Sequence, residues 1–126
     1  MSSWTPLLKF GSASVGMVYA RQIGRYTEVN GLVFVEAEIL LSNKGSSLGP
    51  ATITGLPFAQ AVGLTGLLQV VVETPLGEVK IGHGRIDPSD SVVGLAKWNG
   101  DVFEPMLHSD FHDDQRVLLS GWYTKP

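Results

Sequence analysis

"TEVNGLVFVEAEILLSNKGSSLGPATITGLPF" (residues 27–58) contains a long run of alternating apolar and polar residues, a Gly/Ser-rich segment and a shorter run ending in Gly-Leu-Pro-Phe. Asn30-Gly31 precedes the long run, and both residue types tolerate the positive φ angles of a tight hairpin turn. Since alternation with a period of two is typical of strands, the stretch predicts a hairpin followed by a loop and a short strand. It holds no cysteine and no histidine.

Alternation along residues 32–42 predicts which side of this strand is buried. One side is wholly apolar and includes Val33, Val35, Ala37 and Ile39. The other side has apolar ends and two central carboxylates: Leu32, Phe34, Glu36, Glu38 and Leu40. A lone subunit would leave Phe34 partly exposed to water, so we expect this second side to be covered by another subunit.

The rest of the chain also predicts an all-β fold. Glycine and proline, 15 and 7 residues, punctuate it at intervals of roughly eight to twelve positions, as in sandwiches and barrels. No long run with helical periodicity occurs. We predict one domain over residues 1–126, an antiparallel β-sandwich with strands at 7–10, 16–23, 25–29, 32–42, 51–54, 65–73, 78–85, 91–97 and 116–124.

Composition and charge exclude several classes of function. The net charge of -3 argues against a nucleic-acid partner. No apolar run approaches the 18 or so residues of a membrane span, so we expect no membrane insertion. The absence of cysteine excludes disulfides and thiolate metal sites. Only 17% of residues are charged, below the usual quarter, which favours an apolar surface buried between subunits.

Four segments carry a resemblance to a known family. They are WTPLLKFG (4–11), GRYTEVNGLVFV (24–35), LSNKGSSLGPATITGLPF (41–58) and LSGWY (119–123). In this order they resemble a small β domain found near the C-terminal tips of tailed-phage tail fibres and tailspikes. The ordered set is more specific than any one segment, above all NKGSS followed by ITGLPF.

The resemblance implies a homotrimeric, jelly-roll-like β-sandwich on the exterior of a phage particle. It implies a fibre or tail-tip module that touches other virion proteins, either as a host-binding tip, with host-surface glycan as the candidate ligand, or as a rigid structural module. The alternative is a capsid decoration or head-fibre protein with no receptor role. Met1 stands three residues before Trp4 with no fibre shaft between them, so we expect a free-standing virion protein. With the resemblance, the mixed side of strand 32–42 predicts a trimer interface at Leu32, Phe34 and Leu40.

Trp98, Asn99 and Asp101 are the candidate ligand-binding residues. An indole face stacks on a sugar ring, and amide or carboxylate groups bind hydroxyls. The sequence therefore predicts a glycan contact at KWNGD, residues 97–101. The alternative is that Trp98 is a core anchor before an Asn-Gly turn, because tryptophan is highly buried on average.

No segment predicts catalysis or a cofactor. His108 and His112, in HSDFHDD, are four residues apart, a spacing that zinc sites use on helices. The run lacks a full ligand set, so we expect a polar loop in which aspartates accept hydrogen bonds from backbone amides, with an axial metal as the alternative. Glu36 and Glu38 lie about 7 Å apart on one strand, a separation that some glycoside hydrolases use, but we rank a hydrolase last.

The N-terminal segment is a candidate docking strip. Trp4, Pro6 and Leu7 are apolar and uncharged, and such residues anchor interfaces well. We expect this strip to meet a capsid or tail protein. The alternative is that Trp4 closes the chain's own core.

Overall fold

The computed structural model describes residues 1–75 and 77–126, and Leu76 lies outside that description. Ten strands and one 3-10 turn (His108–Asp110) occur in the described residues. The strands are β1 (Ser2–Trp4), β2 (Leu7–Phe10), β3 (Val18–Val29), β4 (Leu32–Asn43), β5 (Ala51–Thr54), β6 (Gly66–Glu73), β7 (Val79–Ile86), β8 (Val93–Trp98), β9 (Phe103–Pro105) and β10 (Arg116–Thr124).

The strands form one antiparallel sheet that curls into a half-barrel. The strand order is β1-β3-β4-β10-β6-β7-β8-β5-β2, and β9 pairs with β8 beside this path. The all-β, antiparallel prediction is therefore confirmed. The jelly-roll sandwich and the trimer stay predictions.

The two longest strands, β3 and β4, form the hairpin that Asn30-Gly31 predicts. Both turn residues have positive φ, 51° and 85°. Two separate strands were expected at 16–23 and 25–29, but β3 continues through Gly24, which pairs with Ala37 in regular register. The strand is irregular earlier, between Val18 and Arg21, where its register against β4 shifts.

The concave side of the sheet encloses one core. The predicted inward side of β4 is confirmed, since Val33, Val35, Ala37 and Ile39 are all buried. The other core residues come from β1, β2, β5, β6, β7, β8 and β10 and from the connecting segments, which supply Leu56, Met106 and Phe111. The opposite, convex side of the sheet is the outer face, and it carries the features described next.

Residues 2–10 connect the two ends of the strand order. β1 pairs with β3 at one end, β2 pairs with β5 at the other, and only Thr5 and Pro6 lie between β1 and β2. The segment therefore crosses the open side of the half-barrel as a strap. Neither β1 nor β9 was predicted, because three residues are too few to show alternation.

Candidate functional site

A row of exposed apolar side chains crosses the middle of the outer face. Trp122 on β10 pairs directly with Phe34 on β4, and Leu67 on β6 lies just past the last paired residues of β10 and β6. These side chains are 55%, 43% and 61% exposed. Leu32, at the start of β4, extends the row. Leu32, Phe34, Leu67 and Trp122 are called patch 1.

Leu40, the third predicted interface residue, lies away from patch 1. It is six residues beyond Phe34 on the same strand, about 20 Å at the rise of a strand. Arg21 and Arg116 are its neighbours on β3 and β10. Glu36 and Glu38 separate it from Phe34, so Leu40 is surrounded by charge and does not extend the apolar row.

That charged area is a salt-bridge network. Glu38 accepts from Arg21 at 2.7 Å and lies 3.8 Å from Arg116, which in turn lies 3.8 Å from Glu73. Arg25 faces Glu36 across the β3–β4 pair. The cavity here is about 270 Å³, slightly below the 300–1,000 Å³ of ordinary ligand pockets. The arrangement fits a surface ion network better than a cleft between two catalytic carboxylates.

A second apolar area, patch 2, lines an open groove of about 800 Å³ at the end of the β7–β8 pair. Pairing of these strands ends at Gly82 and Lys97. Beyond that point, β7 runs beside β6 while the β8–β9 hairpin diverges, and the gap between them is the groove. Its four exposed apolar side chains define patch 2: Val79, Ile81, Trp98 and Phe103.

Aromatic contacts hold the rings of patch 2. The ring centroids of Trp98 and Phe103 are 5.1 Å apart with planes tilted by 58°. The His83 ring meets Phe103 edge-on at 4.3 Å. Such tilted pairs are favourable beyond the area that they bury. The rings are therefore ordered by one another, although Trp98 and Phe103 are each 51% exposed.

The three predicted ligand residues differ in their exposure and in whether they line the groove. The exposure of Trp98 excludes the alternative that it is a core anchor. Asn99 lines the groove, but its side-chain oxygen accepts hydrogen bonds from the backbone amides of Asp101 and Val102, both at 2.9 Å. Asp101 is exposed and does not line the groove. The glycan contact stays a prediction.

Buried charges support one side of the groove. Asp110 is buried, and its side chain accepts hydrogen bonds from Lys97, from Lys80 at 3.2 Å and from the Leu107 amide at 2.9 Å. Burial alone raises the pKa of Asp110, but these hydrogen bonds outweigh it, so the pKa lies below its ordinary value. The hydrogen bond from Lys97 to Asp110 raises the pKa of Lys97, whose amino group also lies 3.5 Å from the Glu104 carboxylate.

The histidines have separate surroundings. His108 Nδ1 accepts a hydrogen bond from the Gly49 amide at 3.0 Å, whereas His112 is exposed. Asp113 accepts from the Lys44 amide at 2.8 Å, which bears out the expectation that aspartates here accept from backbone amides. Within residues 1–75 and 77–126, no three His, Asp or Glu side chains are grouped to hold a metal ion.

The N-terminal strip lies mostly inside the molecule. Trp4 is buried, and its indole nitrogen donates to the Arg25 carbonyl at 3.2 Å. Pro6 is also buried, and Leu7 is 38% exposed. The alternative that Trp4 closes the chain's own core is therefore correct. The predicted docking role does not fit Trp4 and Pro6, because side chains buried in the core cannot contact a partner, and Leu7 alone stays available.

Trp122, Leu67, Ile81 and Phe103 were missed from the sequence. Side-chain alternation along β10 gave a usable signal for Trp122. Leu119 and Tyr123 lie on the buried side of the strand, and Trp122 is an odd number of residues from both, so its side chain points outward. No local signal shows that it lies beside Phe34, because that pairing joins residues far apart in the chain.

No protein-family model, no curated protein and no solved structure matches this chain. In the described part of the chain, no helix has the length and apolar character needed to cross a membrane. The function is therefore proposed from the chain's own motifs and geometry.

Proposed function

We propose that this chain is a structural protein of a tailed-bacteriophage particle, a homotrimeric β module of the fibre or tail-tip type on the particle's exterior. The ordered motifs at 4–11, 24–35, 41–58 and 119–123 are the reason for placing it on a virion. The exposed apolar outer face is the reason for the assembly.

Patch 1 is the observation that carries the proposal. Exposed apolar residues scattered singly are ordinary, but a contiguous apolar patch rimmed by polar residues marks an interaction site. Phe34 and Trp122 are paired neighbours, and aromatic residues of this kind dominate the energetics of interfaces. Their rigid placement on two central strands suits a permanent contact between subunits.

Light scattering tests the assembly. Purified protein is expected to have about three times the 13.5 kDa mass of one chain. Phe34→Asp is expected to give monomers, because each contact would bury an unpaired carboxylate. Leu48→Asp is the matched control, since Leu48 is 70% exposed in a loop outside both patches. A monomeric wild-type protein contradicts the proposed assembly.

Immunogold labelling of particles tests the placement. Label at the tail supports a fibre or tail-tip module, and label on the head supports the alternative of a capsid decoration or head-fibre protein. Absence of label from intact particles, with signal in the infected-cell lysate, contradicts a place on the exterior.

A further inference from the structure

The chain has two different apolar patches, and they lie on different parts of a curved sheet. Patch 1 is centred on β4, β10 and β6, and patch 2 on β7, β8 and β9. The patches share no residue, although β6 and β7 are adjacent and Ile81 pairs with Val71, four residues along β6 from Leu67. A contact in which identical surfaces meet needs only one such patch, whereas a ring of head-to-tail contacts needs two that differ.

We propose that patch 1 of one copy binds patch 2 of the next copy, so that three copies close into a ring. This inference rests on the proposed homotrimer and assigns its contact surfaces. The occupant of the groove is therefore another copy of this chain, with Trp122 as the anchor that enters it.

The shapes of the two patches are complementary. The Trp122 and Leu67 side chains project from regular, continuous strands and are 55% and 61% exposed. Patch 2 is concave, a groove of about 800 Å³ with apolar residues on both sides. A projecting aromatic side chain that fills a pocket is the usual form of an interface hot spot.

The exposed apolar area agrees with a stable contact. An aromatic side chain buries about 150–250 Å² when covered, so each half-exposed ring leaves on the order of 100 Å² open. Four partly exposed side chains give each patch roughly 400 Å², within the range of about 300–600 Å² of the largest apolar patch on a typical monomer, which is often functional. The two patches together, with a polar rim, reach the range of about 1,200–2,000 Å² that stable interfaces bury.

Three of the cations near the two patches are paired within their own chain. Arg85, the neighbour of Leu67 on β7, lies 2.9 Å from Asp87. Beside patch 2, the two lysines Lys80 and Lys97 are matched by Asp110 and Glu104. A contact between the patches therefore does not set these three cations against one another as unpaired like charges, a cost that disfavours wrong partners.

Two complementary variants test the ring. Trp122→Asp disables patch 1 and Ile81→Asp disables patch 2; both side chains are more than half exposed, so the fold is expected to tolerate them. Each variant alone is expected to be monomeric by light scattering. An equimolar mixture is expected to form dimers and no trimers, because one intact patch remains on each partner. Leu48→Asp is expected to stay trimeric.

Several outcomes overturn the inference. If Ile81→Asp stays trimeric while Trp122→Asp is monomeric, patch 2 is not a subunit contact. If the mixture stays monomeric, patch 1 and patch 2 do not bind each other. Wild-type trimers that bind a glycan, with binding lost in Trp98→Ala but the trimer kept, assign the groove to a sugar instead.

The same experiments separate this inference from the proposed function. A monomeric wild-type protein contradicts both the proposed homotrimer and the ring contact. A wild-type trimer whose two variants do not form dimers when mixed contradicts only the ring contact. Circular dichroism checks that each variant keeps its β-sheet signal. If an aspartate variant loses it, Trp122→Ser and Ile81→Ser repeat the mixing test with the same expected dimers.

Discussion

Asp110 illustrates how a single buried charge shapes the surface beside it. Its carboxylate holds Lys80 from β7 and Lys97 from β8 at the point where these strands diverge. It also accepts from the Leu107 amide and so fixes the 3-10 turn. A buried carboxylate with several charge-assisted donors is well compensated. The groove of patch 2 is therefore braced by a polar cluster on its inner side.

Asp110→Asn is expected to destabilise the protein by about 1.5–3 kcal/mol near neutral pH, the range for hydrogen bonds to charged groups. The folded-state pKa of Asp110 lies below its ordinary value of 3.8, so the charged form stabilises the fold above that pH. This contribution falls as the pH drops below 3.8 and is lost below the folded-state pKa. Urea unfolding at several pH values measures it.

The difference in stability between wild type and Asp110→Asn is thus expected to shrink in acid. The pKa of Lys97 is raised in the folded protein, so its charge also stabilises the fold. This contribution to the free energy of unfolding is lost in alkaline solution, as the pH rises through the raised pKa. A difference that is unchanged down to the lowest measurable pH contradicts the role given to the carboxylate.

Gly24 is required because Trp4 of the neighbouring strand β1 approaches its backbone closely. A Cβ atom there would lie 2.6 Å from the Trp4 carbonyl oxygen and 2.8 Å from its indole nitrogen. Gly24→Ala is therefore expected to cost about 1–3 kcal/mol, the usual penalty for overpacking, in thermal or urea unfolding.

Gly94 provides the matched control for Gly24. It is also a strand glycine, and a Cβ atom there would meet only the Arg85 carbonyl oxygen, at 3.8 Å. Gly94→Ala is expected to leave stability almost unchanged. Equal effects of the two substitutions would contradict the steric explanation.

Among the elements, the strap formed by residues 2–10 links the two ends of the sheet. Its strands pair with opposite ends of the strand order. Side chains of β3 bind its backbone, since Gln22 donates to the Pro6 carbonyl at 2.6 Å and the Tyr19 hydroxyl accepts from the Leu8 amide at 3.0 Å. The strap therefore holds the two ends of the half-barrel together.

Deleting residues 1–5 is expected to lower stability by at least the roughly 3–5 kcal/mol that loss of a buried tryptophan costs. Against a total of about 5–15 kcal/mol, this leaves a marginal fold. Deleting residues 1–3 keeps Trp4 and is expected to cost less. A residues-6–126 protein as stable as the full chain would contradict the structural role given to β1 and Trp4.

For the whole molecule, assembly and stability are expected to be linked. If the trimer is the native form, mass action stabilises it at higher protein concentration. The melting temperature measured by calorimetry is therefore expected to rise over a hundredfold increase in concentration. Phe34→Asp is expected to remove that dependence, and a wild-type melting temperature independent of concentration contradicts an obligate trimer.

The places of the longer strands and the buried side of β4 follow from the sequence alone, although β3 was expected as two strands. Side chains alternate across a strand, so a local pattern reports both the element and its buried side. Asn30-Gly31 predicts its hairpin for the same reason, since the turn depends on two residues. Short strands such as β1 and β9 carry too few residues for this signal.

Only the tertiary structure decided which exposed residues come together. Trp122 adjoins Phe34, and Leu40 is set among arginines, because strand pairing joins distant segments. Trp4 is buried because it belongs to the strap, which pairs with β3 and packs on the core, whereas Trp98 is exposed because its hairpin diverges from β7. Whether Trp4 and Trp98 are covered depends on non-local contacts, and the local pattern around these two residues contains no record of them.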